Sequence, residues 1–313
     1  MRAVGVNTYG GPEALEVVEL PDPVAGPGEL VLRVHAATVN PTDTYGRNGD
    51  RKSMQEKQGP PPYVSGMDVA GVVESIGEGT ETPLSVGDHA MAIVLPSGSH
   101  GGYSERLALP ADSVVAVPER TSDVEASTLP MNALTARLAL DLLALPAGST
   151  VAVTGAAGAF GGYAVQLAKA DGLTVIADAS EDDEELVTGL GADHVVGRGD
   201  DVADRVLEIA PDGVDGVVDG SVQNEALFRA LRDGGGFATV RGFATEAPRD
   251  IVIHPVWVRE YATARTKLDR LREQVEVGEL TLRVAQTFTA ERAPDAHRML
   301  EAGGVRGRLV IEF

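Results

Sequence analysis

The stretch that decides the fold is VTGAAGAFGG, residues 153–162. Branched apolar residues (VAVT, 151–154) run into it, and YAVQLAKA (163–170), with the periodicity of a helix, runs out of it. Ten residues this small pack no core. Ala156-x-Gly158-x-x-Gly161 fits the dinucleotide fingerprint in its A-x-G-x-x-G form, with Ala157, Ala159 and Phe160 between. Missing side chains there let the backbone approach a pyrophosphate seated on a helix N-terminus. Twenty residues past Gly158, at the end of the next apolar run, stands an acid, Asp178. That is the spacing at which a carboxylate meets the adenosine ribose.

Outward from this turn, short apolar runs (TVIAD 174–178, HVV 194–196, DGVVD 215–219, FATV 237–240) alternate with helix-like segments at 161–171, 181–190, 200–210 and 223–232. Strands separated by helices of this length predict a parallel, doubly wound sheet. Residues 1–118 read differently. Leu30, Leu32 and Val34 alternate with other residues, and GGPE, PDPVAGPGE and PLSVGDH punctuate the chain at short intervals, as in a β-rich domain. A long helix is expected over 255–277, then strands near 282–288, a helix over 294–302 and a final strand over 308–313.

At 313 residues and 43% hydrophobic, the chain can bury a large core as one big domain or two. There is no cysteine, which excludes disulfides, a thiolate nucleophile and cysteine-ligated zinc. Against 47 acidic residues stand 26 Lys and Arg, giving a net charge of −21 and arguing against a nucleic acid or an anionic membrane as partner. No run of 18 apolar residues is present to span a bilayer, and the opening residues enter a strand-like pattern instead of a signal peptide. A soluble, cytoplasmic protein is expected. The six histidines (His35, His89, His100, His194, His254, His297) show no i, i+4 pairing and read as structural or surface residues.

The sequence resembles the medium-chain dehydrogenase/reductase superfamily, in its zinc-free quinone oxidoreductase branch related to zeta-crystallin. The resemblance is carried end to end by GPGELVLRVHAATVNPTDTYGRNG (26–49), PPYVSGMDVAGVVESIGEG (61–79), VGDHAMA (86–92), GGYSERLALPADSVVAVPE (101–119), TGAAGAFGGYAVQLAK (154–169), LGADHVV (190–196) and RGRLVIEF (306–313). It implies a GroES-like catalytic domain from residues 1–118 plus 283–313, a Rossmann dinucleotide-binding domain over 119–282, and a homodimer. The zinc-dependent branch needs a Gly-His-Glu, where this chain has Gly66-Met67-Asp68; a thioether and an acid make no tetrahedral zinc site, so no metal is expected.

By the same resemblance, Asn40 and Tyr45 take the places beside the nicotinamide and the substrate, Tyr45 as hydrogen-bond donor or proton source and Asn40 as orienter, while Asp43 ties down their loop. Thr135 is expected near the nicotinamide. Arg241, Gly242 and Phe243, after the strand FATV, are expected to give backbone contacts to its amide, and Arg308 is also placed at the cofactor. Hydride transfer to an electron-poor double bond needs chiefly orientation, which suits a quinone, with an enone or enoyl reductase as the alternative and a non-catalytic dinucleotide-binding protein as a third reading. Asp178 and the acidic run Glu181–Glu185 favour NADH; the branch's usage and Arg198, with Ser180, favour NADPH, and NADPH is the reading adopted, with NADH open. Segment 47–62 reads as a mobile loop over the substrate mouth, and Ile251–Ile253 as an edge strand for pairing with a second copy.

Overall fold

The computed structural model describes all 313 residues. In chain order the first elements are β1 (Arg2–Val6), β2 (Glu16–Glu19), β3 (Glu29–Thr38), α1 (Pro41–Asn48), α2 (Lys52–Gln58), β4 (Tyr63–Val64), β5 (Asp68–Ile76), β6 (His89–Ile93), β7 (Arg106–Pro110), β8 (Val114–Ala116), α3 (Asp123–Ala126) and α4 (Pro130–Leu143). The alternation begins with β9 (Thr150–Thr154), α5 (Ala159–Ala170), β10 (Thr174–Ala179), α6 (Glu184–Gly189), β11 (His194–Gly197), α7 (Val202–Ile209), β12 (Val214–Asp219), β13 (Leu231–Thr239) and β14 (Val252–Pro255). The chain closes with α8 (Arg265–Glu276), β15 (Val284–Thr289), α9 (Ala293–Ala302) and β16 (Arg308–Glu312).

Two compact units result: Met1–Met131 with Arg259–Glu276 and Leu282–Phe313, and Asn132–Val258 with Val277–Thr281. Residues 119–131 and 259–276, placed in the dinucleotide-binding domain on the sequence, group with the first unit instead. The reason lies in α8, which packs against β8 and receives the Glu119 N–H on its Glu276 carboxylate at 2.9 Å.

In the first unit the large sheet runs β15-β16-β3-β5-β6-β8, with β7 also paired to β3. The late strand β16 pairs antiparallel with β3 through Val310 to Thr38, Ile311 to Ala37 and Glu312 to Ala36. Its core gathers Leu30, Leu32, Val34, Val69, Tyr103, Phe288 and Ile311.

In the second unit the sheet order is β11-β10-β9-β12-β13-β14, all neighbours parallel. This is the doubly wound order with its switch point between β9 and β12. β9 and β12 are buried on both faces, which is why VAV (151–153) and GVV (216–218) read as unbroken apolar runs. Phe228 and Phe237 meet edge to face at 5.1 Å in its core. Two expectations differ: residues 224–230 form a 3-10 helix, and the helix expected from 255 begins only at Arg265, after a 3-10 turn at Val258–Tyr261. No helix is long and apolar enough to cross a membrane.

Candidate active site

The glycine turn sits at the carboxyl end of β9, the inner strand from which the sheet winds in both directions. The tight reversal belongs to Gly155, at φ +67°, a conformation costly for a side chain. It precedes the fingerprint as read from the sequence. Gly158 caps α5 with an ordinary φ of −71°. Gly161 is required for contact: a Cβ there would lie 2.3 Å from the Gly155 carbonyl oxygen. Ala156, Ala157, Ala159 and Phe160 complete a turn whose helix opens N–H groups that no intrahelical acceptor can reach. Beside it is a polar cluster that the fingerprint does not announce. Fully buried Asp219, at the end of β12, accepts from Thr154 Oγ1 (2.8 Å), the Ser221 N–H (3.1 Å) and the Asn224 N–H (2.7 Å). Its sequence signal is two apolar strands that each end in a polar residue.

Asp178 is 4% exposed, and its Oδ1 accepts the Ala156 N–H at 3.1 Å, so it braces the glycine turn. Burial pushes its carboxyl up from the usual range, against the pull of the turn's N–H groups and Arg198. The Ser180 hydroxyl is also engaged, donating to Asp183 Oδ2 at 2.5 Å, which leaves it no proton for a phosphate. Arg198 is exposed, and its backbone N–H donates to the Ala179 carbonyl at 2.8 Å, which fixes the side chain's root against the end of β10. Thr135 is buried on α4. Past β13, Arg241 is exposed with φ +66°, and at Gly242 (φ +73°) a Cβ would fall 2.7 Å from the Trp257 ring. The half-buried Phe243 ring packs 6.4 Å from Phe228 and from Phe237.

In the first unit α1 begins with a reciprocal cap: Asn40 accepts from the backbone of Asp43, whose Oδ2 accepts the Asn40 N–H at 2.8 Å. Asn40 is 0% exposed; its amide donates to Asp68 Oδ2 (2.7 Å) and the Thr38 carbonyl (3.3 Å), and its oxygen accepts from Arg308 Nη2 (2.6 Å). Both ends are engaged, so Asn40 is a positioning residue and touches no ligand. Arg308, placed at the cofactor on the sequence, is 4% exposed and ion-paired with Asp68 at 3.2 Å. Its place is in the interior of this unit, with only Nη1 unpartnered.

Asp43 also accepts from the Gly66 N–H (3.1 Å) and the Tyr103 hydroxyl (2.8 Å), and burial pushes it up to about 6. It ties the loop as expected. Since Tyr103 donates to Asp43, its oxygen accepts from His297 Nε2 at 3.2 Å, which fixes that imidazole as the Nε2–H tautomer. Burial holds His297 neutral, down to about 3. Neither Tyr103 nor His297 was a site candidate on the sequence.

Tyr45 is half-buried on α1, with the Arg51 guanidinium 5.6 Å above its ring. Arg51 and α1 border a small cleft of about 30 Å³ lined by Thr42, Asp43, Met54, Gln55, Met67 and Pro96 among others. The segment expected as a loop over the mouth contains α2. Arg47, at the start of that segment, is buried against Glu301. At residues 66–68 the donors do not suit zinc: Met67 sulfur accepts from Thr42 Oγ1 at 3.3 Å, and Asp68 is saturated by Arg308, Asn40 and the Met131 N–H (2.5 Å).

Residues 26–119 match the family described as alcohol dehydrogenase GroES-like domain, and residues 190–311 that described as zinc-binding dehydrogenase. The quinone oxidoreductase of Rattus norvegicus is 30% identical over 332 residues, 99% of this chain and 97% of its own. A solved structure titled as an NAD-dependent alcohol dehydrogenase is 30% identical, with a TM-score of 0.87 over 100% of both chains. A mycobacterial protein solved in complex with NADPH is 26% identical, also with a TM-score of 0.87 over 100% of both chains. The chain belongs to the medium-chain dehydrogenase/reductase superfamily, in its zeta-crystallin-like quinone oxidoreductase branch.

Proposed function

We propose that the protein is an NADPH-dependent reductase that delivers a hydride to a quinone or a similar electron-poor acceptor, without a metal at residues 66–68. The observation that carries this reading is the glycine turn of β9 at the switch point, with Arg198 rooted at the end of the neighbouring strand β10. The nicotinamide, when bound, supplies the hydride.

The chain's own residues bind and orient. The turn at Gly155–Gly161 and the first N–H groups of α5 hold the pyrophosphate. The Arg198 guanidinium takes the ribose 2′-phosphate, and the inward turn of Asp178 removes the carboxylate that would repel it. The backbone at Arg241–Phe243 serves the nicotinamide amide. The acceptor would lie against α1 in the first unit, outside the small cleft walled by Thr42 and Met67. Tyr45 donates a hydrogen bond to the acceptor's oxygen and can release the one proton that completes a two-electron reduction. Asn40, Asp43, Asp68 and Arg308 act through the loop they hold. A second copy pairs along the edge strand β14.

The test is oxidation of NADPH and of NADH, followed at the nicotinamide absorbance, with 1,4-benzoquinone, 9,10-phenanthrenequinone, an alkenal, a cyclic enone and an enoyl thioester. The reading requires turnover with the quinones and a preference for NADPH. Turnover confined to the enones or the thioester would replace the quinone with an unsaturated carbonyl. NADPH that binds without any turnover would leave a dinucleotide-binding protein.

A further inference from the structure

The six histidines look scattered along the chain, yet the fold of the first unit brings two of them onto one carboxylate. His35 projects from β3 and His89 from β6, the strands on either side of β5, and α3 lies across all three. Asp123, the first residue of α3, meets both rings. Its Oδ2 is 2.6 Å from His35 Nδ1, and its Oδ1 is 2.9 Å from His89 Nδ1. The ring centroids are 6.1 Å apart, and the three ligand atoms lie within 4.8 Å of one another. We propose that His35, His89 and Asp123 bind a divalent ion of the borderline class that imidazole favours, zinc or cobalt(II), at a site apart from both the dinucleotide turn and residues 66–68.

The donor set is two imidazole nitrogens and one carboxylate, drawn from three elements, which leaves a coordination position open to water. Zinc bonds of about 2.0–2.2 Å at tetrahedral angles separate ligand atoms by roughly 3.3–3.5 Å. The present contacts therefore need to open by about 0.5–0.8 Å. His89 is 55% exposed and can make that adjustment by rotation, while Asp123 is 10% exposed and stays in place. Asp123 is held by its own backbone: the reciprocal cap between Ser122 and Glu125 fixes the start of α3, and the Asp123 carbonyl accepts the Ser127 N–H at 2.9 Å. Ser127 in turn is bonded to Thr38 on β3. Without the ion each Nδ1 carries the proton that bonds Asp123, so binding through Nδ1 exchanges these hydrogen bonds for metal bonds and leaves each neutral ring its proton on Nε2. Three segments distant in sequence would then be clasped together, and the ion would stabilise the fold.

The experiment is calorimetric titration of the full chain with zinc chloride, together with cobalt(II) absorption in the visible and thermal unfolding with and without zinc. The expected result is one equivalent bound, a visible cobalt spectrum typical of nitrogen and oxygen ligation, and a raised melting temperature. H89Q, at the most exposed ligand, should weaken binding at least about tenfold and abolish the melting shift, and so should H35Q; H194Q should change neither. Circular dichroism confirms that each variant is folded. If the wild type binds no ion the site is refuted, and if H89Q binds zinc as the wild type does, the acidic surface alone is responsible and the site is refuted as well.

Discussion

Replacement of Arg198 by alanine separates the two dinucleotides, and its size can be worked out beforehand. A charge-assisted hydrogen bond to a phosphate contributes about 1.5–3 kcal/mol. Arg198 is exposed, so solvent screens it and the lower half of that range applies. About 1.5–2 kcal/mol corresponds to a KM for NADPH raised roughly 10- to 30-fold. NADH has no 2′-phosphate, and its KM should stay within about twofold. The structure sharpens this expectation because the two other polar groups at the strand end are occupied: Asp178 faces the Ala156 N–H and Ser180 donates to Asp183. Neither can take over from the guanidinium. Raising the salt concentration should reproduce part of the effect in the wild type, for NADPH alone. The assay is initial-rate kinetics with each dinucleotide at a saturating quinone. An equal rise in both constants would show that Arg198 acts on the shape of the turn and not on a phosphate.

Further substitutions have defined outcomes. Gly161→Ala places a Cβ 2.3 Å from the Gly155 oxygen, whereas Gly158→Ala meets nothing closer than 3.1 Å; calorimetry should show dinucleotide affinity collapsing in the first variant and only weakening in the second. Arg308→Met leaves the buried Asp68 carboxylate without its cation and should cost about 3–5 kcal/mol in urea unfolding, part of which the double variant R308M/D68N should restore. Asp43, pushed up to about 6 from an unfolded value near 3.9, contributes stability that is complete below about pH 4 and is lost as the pH rises through about 6. The loss amounts to about 3 kcal/mol, and subtracting the pH profile of Asp43→Asn from that of the wild type should isolate it; a flat difference would mean that Asp43 titrates alike in the folded and unfolded chain.

The doubly wound sheet was legible because both of its faces are covered: VAV (151–153) and GVV (216–218) are apolar without a break, and a strand's apolar run is what sequence displays. The glycine turn was legible for the complementary reason, as residues chosen for what they lack. What stayed hidden depends on direction and distance. Counting to Asp178 finds a strand end, but successive residues there point to opposite faces, and the count cannot say which faces the ligand. Asn40 looked like a site residue because it stands in a motif; its partner Arg308 is 268 residues away, and only the pairing of β16 with β3 reveals that their groups satisfy each other. KSMQEKQ (52–58) lies between a glycine-rich and a proline-rich stretch and reads as a loop, although its residues are mostly good helix formers. Tyr103 and His297 are single polar residues in ordinary surroundings, and nothing local marks them.

The threading of β16 between β15 and β3 also has a bearing on how the chain is made. Arg308 is translated 268 residues after Asn40. At about 5–20 residues per second, a nascent chain waits roughly 15–50 s for the strand that completes its first sheet and for the cation that neutralises Asp68. The second unit, almost continuous in the chain, emerges whole during that interval. Folding on the ribosome would then finish the later-encoded unit first, with the edge of β3 open to chaperones, or to neighbouring nascent chains, until the last strand arrives.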